Sequence, residues 1–97
     1  MTDENDARLT RQLIREELDA SNSYEEKAQA TFDPEAAKVY RDISREEKVH
    51  AGELQALLDR EDPESTEAMK EGIEETGLEG SFKDIFDRKR ALLIVRY

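Results

Sequence analysis

The residues in this sequence best suited to chemistry are Glu17, Glu47 and His50: two carboxylates and the chain's single histidine. Glu47-Lys48-Val49-His50 places a carboxylate and an imidazole three residues apart, so on a helix both project from one face. Hard carboxylate oxygens joined by one imidazole are ligands for a first-row metal ion. The chain has no cysteine, so thiolate zinc sites, iron–sulfur clusters and disulfides are excluded. Any metal must be held by carboxylate and imidazole.

These residues need elements to position them, and the sequence supplies two long helices. From about Ala7 to Ala30 there is no Gly or Pro and most residues are strong helix formers, which predicts a first helix of six or seven turns. Thr31-Phe32-Asp33-Pro34 breaks it. Asp33 can cap a second helix with Pro34 at its first position, and that helix runs to about Arg60. Asp62-Pro63 repeats the start signal for a shorter third helix ending near Thr76 and stopped by Gly77. The domain reading is a helical domain over residues 1–76, then a linker and tail over 77–97. That tail carries Lys83, Arg88, Lys89, Arg90 and Arg96 and the apolar run Ala91 to Val95, and is read as a targeting or assembly segment.

A short turn makes the long helices antiparallel neighbours. On the first, Leu9, Leu13, Glu17, Ala20 and Tyr24 share one face; on the second, Ala36, Tyr40, Ile43, Glu47, His50, Leu54 and Leu57 form a heptad seam. Phe32 is midway in sequence between Glu17 and Glu47. Each carboxylate is therefore roughly 20 Å from the turn, and Glu17 is expected beside Glu47 with His50 one turn further on. A carboxylate on a buried stripe is costly without a compensating partner. The Glu-x-x-His pair with a lone Glu is half of the set found in di-iron carboxylate bundles, where four helices supply two of each. A second chain related by a two-fold axis would supply the other half. The ordinary reading of a lone Glu-x-x-His is a solvated helix face, and of Tyr24 and Tyr40 a core pair. Glu25, Glu26, Glu53, Glu61, Glu74 and Glu75 read as solvated too.

Composition bounds the alternatives. With 97 residues, 36% hydrophobic and 41% charged, the chain is one small all-α domain for which oligomerisation is an attractive route to stability. Its net charge of −10 argues against nucleic acid, and no apolar run is long enough to span a membrane. The default compartment is the cytoplasm.

The stretches Glu16-Glu17-Leu18-Asp19-Ala20-Ser21-Asn22-Ser23-Tyr24 and Arg45-Glu46-Glu47-Lys48-Val49-His50, followed by Leu54, Leu57 and Leu58, resemble the encapsulated ferritins, half-length ferritin relatives that travel inside encapsulin shells. The resemblance covers about Leu9 to Thr76. It implies a ferritin-like hairpin plus a short third helix, a four-helix bundle completed by dimerisation, a ferroxidase centre at the dimer interface and a decamer of five dimers. It implies Glu17 as a terminal iron ligand, Glu47 as a bridge between two irons, His50 as a terminal nitrogen ligand, and Tyr24 beside the site. Glu16 and Asp19 match acidic positions associated with admitting metal, and on residue type alone read as solvated. Ser23 stands where many members carry Trp, and Ala91 to Tyr97 differs from the usual Gly-Ser-Leu type of shell signal. The expected function is Fe(II) oxidation with O2, delivering iron for storage in an encapsulin shell. A helical dimerisation module and a rubrerythrin-like peroxide-reducing di-iron protein are the alternatives.

Overall fold

The computed structural model describes residues 2–78, and within them the chain is helical with no strand. Helix α1 spans Thr2–Ala30, α2 spans Pro34–Glu61 and α3 spans Pro63–Glu75. The expected start of α1 at Ala7 is five residues late, because the acidic residues before it extend the helix from Thr2. The segment from Glu79 onward, with the apolar run at Ala91, lies outside the described residues.

The turn works as its residues suggest. Asp33 has extended backbone, φ −90 and ψ 110, and its Oδ1 accepts a hydrogen bond from the Glu35 amide at 3.0 Å, with Pro34 opening α2. A cap of this kind contributes about 1 kcal/mol. Thr31 Oγ1 accepts from the Asp33 amide at 3.1 Å and so holds the reversal in three residues. Thr31 to Asp33 is too short for anything but an antiparallel return. α1 and α2 pack against each other in one unit, residues 1–63; α3 belongs to a second unit that begins at Glu64. Gly77 adopts φ +69 just past the end of α3, where a left-handed residue favours glycine.

What lies between α1 and α2 differs from the seam expected from large apolar residues. The buried positions are Ala7, Thr10, Ser21 and Ala28 on α1, and Ala37, Ser44, Ala51 and Leu58 on α2. Most are small and recur at heptad spacing, which lets the two backbones approach closely. Ser21 and Ser44 mark the closest join: Ser21 Oγ donates to the Ser44 carbonyl at 3.0 Å, and Ser44 Oγ lies 3.1 Å from the Ser21 carbonyl. At the open end Thr10 Oγ1 donates to Glu61 at 2.6 Å and Arg11 pairs with Asp62 at 2.8 Å.

The larger apolar side chains are displaced outward. Leu9 and Leu13 are about half exposed, as are Val39 and Val49. At about 100° per residue, Val39, Ile43, His50 and Leu57 fall within about 40° of one another on α2, and Leu9, Leu13 and Ala20 do so on α1. The hairpin thus carries an apolar flank beside its inner seam. His50 is on that flank.

Candidate metal centre

Glu17 sits midway along α1, and Glu47 and His50 lie one turn apart on α2. One donor atom from each falls within 4.8 Å of the others, the one such cluster among the described residues. His50 Nδ1 is 3.5 Å from Glu17 Oε2 and 3.7 Å from Glu47 Oε2. Glu17 and Glu47 are heptad positions of the inner seam, so their carboxylates are pinned between the helices with side chains 26% and 21% exposed. The His50 side chain, on the flank, is 51% exposed.

The electrostatics of this group are unbalanced. Glu17 Oε2 is buried and has no hydrogen-bond partner. A buried acceptor in that position costs about 1–3 kcal/mol, more when charged. Glu47 is held above the usual carboxylate range, first because its protonated form can hydrogen-bond to Glu17, then because of burial and the negative charge of Glu17; His50 opposes the shift. Among the described residues, no lysine or arginine pairs with either carboxylate. A cation seated among the three donors would supply the missing partner for Glu17 Oε2 and favour the ionised form of Glu47. Two oxygens and one nitrogen fit iron, and they leave coordination positions for further donors and for O2.

The other expected residues are placed around this cluster. Tyr24 is half-buried one heptad from Glu17 and packs on Tyr40, one heptad from Glu47, with ring centroids 6.3 Å apart and planes inclined at 46°. The tyrosines form the next layer toward the turn, outside the ligand cluster. Glu16 and Asp19 are exposed on α1, where Glu16 accepts a hydrogen bond from Gln12 at 3.3 Å. They belong to no donor cluster among the described residues.

Two carboxylates expected to be merely solvated join the helices instead. Glu61 accepts from Thr10, and Glu25 pairs with Lys48 at 2.5 Å and accepts from Ser44 Oγ at 3.2 Å. Distance from the turn gave no signal for the second pair, since Lys48 is farther from Phe32 in sequence than Glu25 is.

Residues 4–85 match the family described as Rubrerythrin. A ferritin-like–encapsulin shell fusion protein of Pyrococcus furiosus is 42% identical over 80 residues, 78% of this chain and 23% of that protein. The encapsulin nanocompartment cargo protein EncC of Myxococcus xanthus is 38% identical over 74 residues, 76% of this chain and 57% of that protein. The chain therefore spans less than two thirds of either relative. The crystal structure of the encapsulated ferritin domain from Pyrococcus furiosus superposes with a TM-score of 0.74 at 43% identity, covering 77% of this chain and 76% of that one. On the strength of both the family match and these relatives, the chain belongs to the rubrerythrin family, among its ferritin-like encapsulated ferritins.

Proposed function

We propose that this protein is a ferroxidase, oxidising Fe(II) to Fe(III) with O2 at a di-iron site shared by two copies of the chain. The observation that carries this reading is the orphaned Glu17 Oε2 beside Glu47 and His50: a half-filled donor set that no lysine or arginine among the described residues neutralises. Iron is the substrate, with Glu17 and His50 as terminal ligands and Glu47 as the bridge. Each Fe(II) gives up one electron, so a pair supplies the two that, with two protons, take O2 to hydrogen peroxide. Tyr24 contributes to the packed layer beneath the site.

The second copy is supported by the flank on which His50 lies. Leu9, Leu13, Val39, Ile43 and Leu57 are too large and too apolar to favour water on a chain whose intramolecular core is mostly Ala and Ser. A two-fold axis along that flank would cover them and bring a second Glu17, Glu47 and His50 to the first. A decamer of five such dimers is the assembly implied by resemblance.

Two relatives named for encapsulin shells support the final part of the reading, in which the protein works inside an encapsulin nanocompartment in the cytoplasm and passes oxidised iron to storage there. The tail over residues 77–97 is the segment proposed to dock to the shell or to a neighbour. No helix among the described residues is long and apolar enough to cross a membrane. A non-catalytic dimerisation module would have no use for a buried carboxylate oxygen without a partner.

The test is anaerobic Fe(II) titration followed by O2 consumption. Support is about one iron bound per chain and O2 uptake in proportion to iron; iron binding no stronger than that of Glu47→Ala would refute the site.

A further inference from the structure

The opposite flank of the hairpin holds a cleft that the proposed iron chemistry does not use. It measures about 350 Å³ and is lined by Glu25 and Gln29 from α1 and by Arg41, Ser44, Arg45 and Lys48 from α2. Glu25 Oε1 accepts from Lys48 and from Ser44 Oγ, so the Lys48 charge is already answered within the cleft. Arg41 and Arg45 are not answered. They are exposed, one turn apart, and neither guanidinium has an ion pair or hydrogen bond among the described residues. Glu35 and Asp42 line an adjoining groove with them but form no ion pair. Like charges four residues apart repel on a helix, so two uncompensated arginines on a chain of net charge −10 form a local positive focus.

Guanidinium groups in this arrangement match one ligand chemistry well. Each presents a planar fork of N–H donors that fits two oxygens of a tetrahedral oxyanion, and Gln29 adds an amide donor from the facing helix. Three of the six lining side chains are cationic, which suits a small anion. Its placement matters as much: at about 100° per residue, the Arg41, Arg45 and Lys48 face lies about 170° around α2 from His50. A dimer formed across the His50 flank does not cover it.

We propose that Arg41 and Arg45, with Gln29 on the facing wall, bind inorganic phosphate in this cleft, on the flank away from the metal ligands. The site rests on the hairpin alone and does not depend on the iron reading.

The experiment is a phosphate titration of metal-free, full-length protein at constant ionic strength, followed by calorimetry and phosphorus NMR. Saturable binding of one phosphate per chain, competed by sulfate and not by chloride, is expected. Arg41→Gln with Arg45→Gln should weaken it roughly tenfold or more, with helix content by circular dichroism unchanged. Arg60→Gln with Lys70→Gln removes the same charge elsewhere and should leave binding intact. Absence of saturation, equal competition by chloride, or equal loss in the two double variants would overturn the site. So would a change in subunit number on removing Arg41 and Arg45 without phosphate, which would show an acidic surface of another copy in the cleft. Iron titration of the same samples keeps the two proposals separable, since phosphate binding without iron binding would sink only the ferroxidase reading.

Discussion

His50 Nδ1 lies nearer to Glu17 Oε2 across the hairpin, at 3.5 Å, than to Glu47 Oε2 on its own helix, at 3.7 Å. The donor group is thus a product of helix pairing as much as of the local Glu-x-x-His spacing. Ser21 and Ser44 fix that pairing about one turn away, and any change that slides α1 along α2 separates Glu17 from the other two.

Glu47→Ala tests the bridging role. Two irons brought together without a shared carboxylate repel each other and lose their geometry, so Fe(II) oxidation followed at the Fe(III) absorbance band should fall roughly a hundredfold or more. Helix content should not change, because the contacts of Glu47 are with Glu17 and His50, the other members of the donor cluster, rather than with the residues that join the helices. An unchanged rate would remove Glu47 from the site.

Glu17→Gln separates metal binding from folding. The amide keeps the shape, removes one of two adjacent negative charges and gives Glu47 a donor. In chelator, the variant should melt a few degrees higher than the parent, as relief of an unsatisfied buried group implies. With iron the order should reverse, since the parent gains stability from a ligand the variant holds weakly. A variant less stable than the parent in chelator would mean that Glu17 already has the partner it lacks in this structure.

Much of this site could be read from the residues, and the part that could not is informative. Phe32 as the midpoint placed Glu17 beside Glu47, and Asp33-Pro34 set the turn, because caps and short loops are local and depend on few residues. Half of the seam was misplaced by one position. Tyr40 and Glu47 do face α1, but the line Ala36, Ile43, His50 and Leu57 gives way to its neighbours Ala37, Ser44, Ala51 and Leu58, which are buried, and Leu9 and Leu13 turn outward. Patterns of hydrophobicity show which faces seek cover without showing whether a neighbouring helix or another chain provides it. A chain that pairs with a second copy, as in the proposed dimer, needs two such faces. Glu25 was hidden for a different reason: its partner Lys48 is on the other helix, and salt bridges between helices leave no periodic signature.

The pH dependence of the metal-free protein should contain two opposed contributions. Glu47 is raised in the folded state, so the stability it contributes is fully present below its unfolded value of about 4.5 and is lost as pH rises through its folded value. Glu25 is lowered by Lys48 and Ser44, so its contribution is present above about 4.5 and is lost as pH falls through its folded value. Melting curves in chelator across that range should show Glu47→Gln losing the decline on the alkaline side and Glu25→Gln losing the decline on the acid side. Identical pH profiles for the two variants would contradict the assignment.

Leu13→Lys tests whether the apolar flank is where a second chain completes the site. Leu13 is 46% exposed in the single chain, so a lysine there costs the hairpin little. In a two-fold dimer the same change places a charge against an apolar surface, or against its own symmetry mate. Native mass spectrometry of the parent should show subunit and iron counts rising together as Fe(II) is added, because each ion has too few donors until a second Glu17, Glu47 and His50 arrive. The variant should remain monomeric, keep its helix content, bind iron weakly and oxidise it slowly even though Glu17, Glu47 and His50 are untouched. A monomeric variant that binds one iron per chain with the affinity of the parent would show that a single hairpin suffices, and the shared site would have to be abandoned.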